Sequence, residues 1–504
     1  MRLVALILVS LFVGWGLLVP NPRAPVAMVA LETPAAGLLN PLALEPHAPI
    51  HITDNAGFNT SNGVRSGSGT ASDPYIISDW FFDASLYPTT NAMLWLENTD
   101  KYVTVRNCQV VRFDSIGEHY QAFYLGKYPG EITTPTLGPP MIDLTSNVSF
   151  LHNDIDSRYG YGIQIAEGSS NIVLRGNRVN IHPDNASGRD FLYGVNAARN
   201  THSITIENNL VVAASPVYIT IGIHMSDYYV SEERRASNLI ARNNTVVDAS
   251  GGIHVESSRF TLVRDNTIYQ TVRNSLLFGW PRAITVRESA LNASLIHNTI
   301  RNEVSGIVIG AATVRWDTYG PITGASNVTI QDNAISNVDS GISIGNVSHT
   351  RIVNTTFLGV GLQEFNLNGE RGPPRDLTLT DPNMPVRIRA PAGTIPIHWS
   401  WTGLAPRAKY NLSSLNGTAQ ANVTFTTDCN GGGAADSLQP RTNLTAFTSY
   451  SLAGPDRLSG AECTIPAKGI DYHSLIGVSA SVGIIAVAVA VHWAYSTRRK
   501  RRED

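Results

Sequence analysis

The feature that most limits what this chain can fold into is a phrase that keeps returning: apolar, x, apolar, x, x, Asn, x, apolar. It stands as Val148-Ser-Phe150-Leu-His-Asn153-Asp-Ile155, then as Ile172…Asn177…Val179 and Ile204…Asn209…Val211. Leu239…Asn244…Val246, Thr261…Asn266…Ile268, Ala293…Asn298…Ile300 and Val328…Asn333…Ile335 follow, and a looser copy ends at Asn354. An early copy, Val103-Thr-Val105-Arg-Asn-Cys108-Gln-Val110, puts Cys108 in the Asn position. From Asn153 onward the steps are 24, 32, 35, 22, 32, 35 and 21 residues.

Between copies lies a second phrase: small, apolar, polar, apolar. It reads Gly162-Ile-Gln-Ile, Gly194-Val-Asn-Ala, Gly222-Ile-His-Met, Gly252-Ile-His-Val, Ala283-Ile-Thr-Val, Gly306-Ile-Val-Ile and Gly341-Ile-Ser-Ile, with Ala122-Phe-Tyr-Leu as an earlier relative. Alternation with period two means short strands with one buried face. Fixed spacing within phrases and variable spacing between them means one coil per repeat. Such a repeat cannot close a core alone, but stacked at about 4.8 Å per coil it buries a continuous apolar column. Nine coils give a column roughly 40 Å long. A leucine-rich repeat is excluded because its leucine pattern is absent, and a propeller needs four longer strands per repeat. The recurrent Asn suits a tight turn, where it tolerates the left-handed conformation and its amide can bond the Asn of the next coil.

The fold class expected is therefore all-β: a right-handed parallel β-helix, followed by a small β-sandwich and a C-terminal transmembrane helix. The spacing, the Asn turns and the stretch IHITDNAGFNTSNGVRSGSGTASDPYIISDW from Ile50 resemble right-handed parallel β-helix repeat proteins of the NosD-like, carbohydrate-binding and sugar-hydrolase (CASH) type. Gly67-Ser-Gly-Thr…Asp73-Pro-Tyr-Ile-Ile looks like the N-terminal cap of prokaryotic, often archaeal, surface members. The resemblance covers roughly residues 49–365. It speaks for the fold more than the function, because this fold hosts lyases, hydrolases, binding proteins and adhesins alike.

The expected organisation is a signal peptide or anchor over 1–30, a linker over 31–48, the β-helix over 49–368, an Ig- or fibronectin-like stalk over 369–468, a membrane span over 469–495 and a basic cytoplasmic tail over 496–504. The first segment follows from Met1-Arg2 and the apolar run Leu3 to Val19. The span follows from Leu475 to Tyr495, which contains no Asp, Glu, Lys or Arg. Its length of about 31 Å matches a bilayer core. The cluster Arg498-Arg499-Lys500-Arg501-Arg502 behind it marks the cytoplasmic side. The bulk of the chain is thereby placed outside a cell membrane crossed once. In the stalk, prolines cluster and Trp399 reads as core. Cys429 and Cys463 could pair there, as suits an exported chain, leaving Cys108 over. Twelve Asn-x-Ser/Thr sequons occur, four of them between Asn411 and Asn443. They carry sugar only in a host with the machinery. A net charge of −3 leaves no nucleic-acid footprint.

In the second phrase the polar residue faces outward, so consecutive coils display Gln164, Asn196, His224, His254 and Thr285 in one row. The next outward row is Ala166, Ala198, Ser226, Glu256 and Arg287, and just beyond lie Glu167, Arg199, Asp227 and Glu288. The longest loops flank this strand and bring Tyr193, Tyr228, Tyr229, Trp280, Trp316 and Tyr319, with Tyr159 and Tyr161 on a shorter loop. Long loops in a compact solenoid usually have a task. Together these residues predict a groove floored by amides, two histidines and carboxylates and walled by aromatics, fit for a polysaccharide. Its ligand-binding candidates are Gln164, Asn196, His224, His254, Tyr228, Tyr229, Trp280 and Trp316. The plainer alternative is that the aromatics merely cover sheet faces and loop bases.

Catalysis is a second reading, with Glu256, Asp227 and Arg287 as its candidates. Polygalacturonase-type enzymes of this fold use Asp-Asp and Gly-His-Gly signatures. Asn98-Thr99-Asp100 matches one fragment of that set, and neither of the others occurs. Glu256 with Asp227 or Glu288 could supply a glycosidase carboxyl pair. Arg287 beside Glu256 is compatible with a lyase. A structural envelope or adhesion module with no ligand of its own is the third reading. No cofactor is expected. A divalent metal shared by His224 and His254, with Asp227 or Glu256 as third ligand, lacks the support of a Met-rich or Cys–His cluster.

Overall fold

The computed structural model describes residues 44–457, apart from 89, 91, 114–120, 126–144, 158–160, 166–167, 182–190, 198–199, 214–218, 226–234, 273–281, 288, 311–323, 346, 362, 368–373, 376, 383, 391–394, 417–418, 440–441 and 443–446. Its strands fall into three sheets of 11, 14 and 15 strands, and along the coils the neighbour of each strand is the strand three places later in the chain. A chain that meets its own sheet again every third strand, always in parallel, is a parallel β-helix.

One coil shows how the two phrases make three strands. Gly251–Glu256 lies in the third sheet, Ser258–Arg264 in the second, and Thr267–Tyr269, starting just after Asn266, in the first. Arg282–Arg287 then lands back on Gly251–Glu256, with Ile253 opposite Ile284 and Val255 opposite Val286. Ile253, Val255, Val263 and Ile268 all point into the column and are buried. Each contributes about 1.5–3 kcal/mol relative to an exposed position. Gly222 shows why a small residue opens the second phrase. A Cβ there would stand 2.3 Å from Val246 Cγ1 and 2.8 Å from the carbonyl oxygen of Gly252 on the next coil.

The asparagines form an unbroken ladder from Asn153 through Asn177, Asn209, Asn244, Asn266 and Asn298 to Asn333. Asn244 is typical: its backbone N–H and its Nδ2 both donate to Asn266 Oδ1, and Nδ2 also donates to the carbonyl of Ile206. The left-handed conformation expected of the ladder residue belongs instead to the residue before it: His152, Gly176, Asn208, Asn243, Asp265, His297 and Asp332 all have φ between 52° and 66°. The ladder residue needs a regular conformation to aim its amide along the stack. Cys108 starts the column with its backbone N–H donating to Asn153 Oδ1 at 3.0 Å. Burial pushes its thiol up to about 12.

Among the described residues a separate sandwich, expected over 369–468, is not seen. Leu377–Thr380 pairs in parallel with Ser348–Val353, Ile395–Trp401 pairs with Leu377–Thr380, and Val386–Arg389 pairs with Gln363–Asn366. The sheets of the helix thus run on without a break, and only then turn antiparallel, through Gly433–Gln439, Thr448–Arg457, Ala408–Asn416 and Ala419–Thr426. Trp399 is core, as expected, with Nε1 donating to Ser437 Oγ and its ring packed on Trp401 and Tyr450. Arg407 Nε donates to Cys429 Sγ. Cys463, and with it the expected Cys429–Cys463 pairing, lies outside the described residues, as do the N-terminal apolar run, the 475–495 span and the basic tail. Among the described residues no helix is long and apolar enough to cross a membrane.

One polar group stands apart in the column. Glu303 is buried, and Gln270 Nε2 donates to its Oε2 at 3.1 Å. Burial first, and the negative charge of Asp248 second, push its carboxyl up to about 8.

Candidate functional site

The row expected on the third sheet is present, in register. Gln164 pairs with Asn196, Asn196 with His224, His224 with His254 and His254 with Thr285. Glu256 stands opposite Arg287. What differs is its exposure. Strands of the second sheet alternate buried and open positions, as Ser258–Arg264 does, whereas Gly251–Glu256 is buried at all six positions and Ile219–Met225 at its last six. His224 is 2 % exposed, His254 8 % and Glu256 0 %. These side chains are therefore not the solvated floor of an open groove.

Outward side chains of neighbouring coils cover one another. The ring of Tyr193 lies 4.8 Å from that of His224, and Tyr161 lies 5.0 Å from Tyr193. The His254 ring folds back over its own strand, so that a Cβ on Gly251 would stand 2.4 Å from Nε2. Arg287 closes over Glu256, with Nε 2.6 Å and Nη2 2.5 Å from Oε1.

Hydrogen bonds run along the row. Asn196 Nδ2 donates to Gln164 Oε1 at 2.7 Å, which leaves Asn196 Oδ1 facing His224 Nδ1 at 2.7 Å. A carbonyl oxygen can only accept, so His224 Nδ1 carries a proton. Its Nε2 then points at Glu256 Oε2, 3.5 Å away. His254 Nδ1 approaches Glu256 Oε1 to 3.7 Å. Both ring nitrogens of His254, Glu256 Oε2 and Thr285 Oγ1 are buried without a hydrogen-bond partner among the described residues.

The charges follow from these contacts. Burial alone would raise the Glu256 carboxyl, but the Arg287 guanidinium, and then His224 and His254, hold it well below the usual carboxylate range. Burial takes the His254 imidazole down to about 4, with the nearby carboxylate offsetting only part. At neutral pH the centre is thus a carboxylate–guanidinium pair beside a neutral imidazole.

Of the residues expected at the site, the structure brings together Gln164, Asn196, His224, His254, Glu256 and Arg287. Asp227, Tyr228, Tyr229, Trp280 and Trp316 lie outside the described residues, as do Glu167, Arg199, Glu288, Tyr159 and Tyr319. Tyr161 and Tyr193, expected on loops, sit on strands Tyr161–Ile165 and Phe191–Ala197. The signal for them was present as Tyr161-Gly162-Ile163 and Tyr193-Gly194-Val195, the same tyrosine ahead of the same glycine in consecutive coils. Among the described residues no three His, Cys, Asp or Glu side chains are placed to hold a metal ion.

No protein-family model matches this chain, and no curated protein does. Among solved structures it is similar to an alginate lyase from Paenibacillus sp. str. FPU-7, at 10 % identity and a TM-score of 0.41, covering 65 % of this chain and 99 % of that one. It is also similar to the tailspike protein of E. coli bacteriophage HK620 in complex with a pentasaccharide, at 11 % identity and a TM-score of 0.41, covering 75 % and 69 %. A third is PfbA, a surface adhesin of Streptococcus pneumoniae, at 11 % identity and a TM-score of 0.41, covering 73 % and 89 %.

Proposed function

We propose that this chain binds a polysaccharide along the outer face of the third sheet, and that it does so outside the cell, tethered by its C-terminal apolar segment. NosD-like, CASH-type kinship belongs to the same reading. The observation that supports it is the relay Gln164–Asn196–His224 beside the Tyr161–Tyr193 pair. Of this row Tyr161 and Asn196 are partly exposed and would offer a sugar chain a ring face and an amide, while Gln164 and Tyr193 are buried beside them. The partly exposed Tyr161 and Asn196, and the edge of Arg287, whose side chain is 11 % exposed, would touch the ligand. Buried His224, His254 and Glu256 hold them in place.

The state of Glu256 argues against one role in hydrolysis, that of general acid. A glycosidase acid needs a raised pKa, and Arg287 drives this carboxyl the other way. Lyase chemistry keeps one supporting observation, the neutral imidazole of His254, which could accept a proton.

The test is retention of the full chain on a panel of polysaccharides. Tyr161→Ala and Asn196→Ala are expected to weaken binding at least tenfold, and Arg175→Ala on the second sheet to leave it unchanged. The reading fails if the parent chain is retained by none of them, or if all three variants bind alike. New reducing ends, or the ultraviolet absorbance of unsaturated uronates, would replace binding with cleavage.

A further inference from the structure

The dipeptide Asn243-Asn244 sets two asparagines side by side with opposite fates. Asn244 is a ladder residue, buried, with both Nδ2 hydrogens committed, to Ile206 and to Asn266. Asn243 occupies the left-handed turn position before it, with φ 53°, and is exposed. Its side chain makes no hydrogen bond among the described residues. It is also the first residue of a sequon, Asn243-Asn-Thr245.

The same division holds along the coils. None of the seven ladder asparagines, from Asn153 to Asn333, begins a sequon. Among the described residues five turn asparagines do: Asn147, Asn243, Asn292, Asn327 and Asn354, every one at positive φ. Asn243, Asn327 and Asn354 are exposed, and Asn147 and Asn292 partly so. Three of the five already use Nδ2. Asn147 donates to the carbonyl of Asp100, Asn327 to Asn292 Oδ1 and Asn354 to Asp332 Oδ1. Asn292 only accepts, through Oδ1, a role that survives when its nitrogen is substituted. Among the described residues, Asn243 and Asn292 are thus the coil sequons whose acceptor nitrogen the fold leaves unused.

We propose that Asn243 and Asn292 carry N-linked glycans, while the ladder asparagines carry none. The donor is a lipid-linked oligosaccharide. Nδ2 loses one proton and bonds to the anomeric carbon. The bond from that carbon to the lipid phosphate oxygen breaks, and its electron pair leaves with the phosphate. A modified amide retains one N–H and its Oδ1, so the Asn327 bond to Asn292 is compatible with a glycan there. This inference rests on the extracytoplasmic placement proposed above.

The test is glycopeptide mass spectrometry on the full chain purified from the organism that encodes it, together with protease treatment of intact cells. Sugar masses are expected on the peptides containing Asn243 and Asn292 and on none of the ladder asparagines. Asn292→Gln should remove one of them, and Thr245→Ala, which keeps Asn243 but breaks its sequon, the other. Unmodified peptides from a chain that protease cleaves on intact cells overturn the inference and leave the exterior placement standing. Unmodified peptides from a protected chain overturn both.

Discussion

Replacing Glu303 with Gln removes a proton-binding group from the core while keeping its shape and an oxygen to accept from Gln270 Nε2. In the folded chain the carboxyl is pushed from 4.5 up to about 8, by burial first and by Asp248 second. Its folded pKa is raised, so the fold prefers the protonated form. Below pH 4.5 the group is protonated whether the chain is folded or not, and it costs nothing. Between 4.5 and 8 the unfolded chain releases the proton and the folded one keeps it, so stability falls as pH rises. Each pH unit in that window removes about 1.4 kcal/mol. At pH 7 the loss is on the order of 3 kcal/mol, and above pH 8 it reaches its full extent. Glu303→Gln escapes this loss. The assay is denaturant unfolding of parent and variant at pH 4.5, 6, 7 and 8. The two are expected to coincide at pH 4.5, and the variant to gain steadily up to pH 8. A gain independent of pH, or a variant weaker than the parent at pH 8, would refute the reasoning.

Other substitutions probe the ladder, the stack and the site. Asn244→Ala leaves the Asn209 N–H and one of the two Asn209 Nδ2 hydrogens without an acceptor, the other still reaching the Leu174 carbonyl, and takes a donor away from the Ile206 carbonyl. At about 1–3 kcal/mol for each unsatisfied group, denaturant titration should show a loss of at least about 3 kcal/mol. Gly222→Ala forces a methyl against Val246 and the Gly252 carbonyl, and its thermal midpoint should drop by an amount equivalent to about 1–3 kcal/mol. Arg287→Ala strands the buried Glu256 carboxylate and should cost about 3–5 kcal/mol. Adding Glu256→Gln to that variant should recover much of the loss in a double-mutant cycle, and no recovery would mean that the pair is not the source. Cys108, buried with its thiol pushed up to about 12, should resist a thiol reagent in the native chain and react only on unfolding.

The coils were legible because their chemistry is local and repeated. Ile253, Val255, Val263 and Ile268 could be assigned to the core from period-two alternation alone, and the ladder from one Asn per repeat. The row from Gln164 to Thr285 was legible for the same reason, since glycine-led phrases stack in register. Its burial was not, because that depends on contacts across coils. The Tyr193 ring on His224 joins residues 31 positions apart, and Arg287 reaches Glu256 over the same separation. The left-handed turn residue was placed one position late because the amide of Asn, which tolerates that conformation, is also what builds the ladder. The continuation of the sheets past residue 369 was hidden for a similar reason. Prolines and the end of the Asn phrase look like a linker, yet Leu377, Leu379, Ile397 and Trp399 still alternate as coil strands do, and the sheets continue through them.

The asparagine ladder has a direction: each amide donates toward the next coil along the chain and accepts from the one before. A cut that removes a fraction of a coil would leave a donor facing a donor or an apolar side chain in the amide column. A cut that removes a whole one need not. Deleting residues 244–265, one full Asn-to-Asn step, would bring Asn266 directly behind Asn243 and let Asn209 donate to Asn266 as it now does to Asn244. Insertions and deletions in descendants of such a chain are therefore quantised. The binding face lengthens or shortens in steps of about 4.8 Å, and ligand length and repeat number are free to evolve together while the column stays intact.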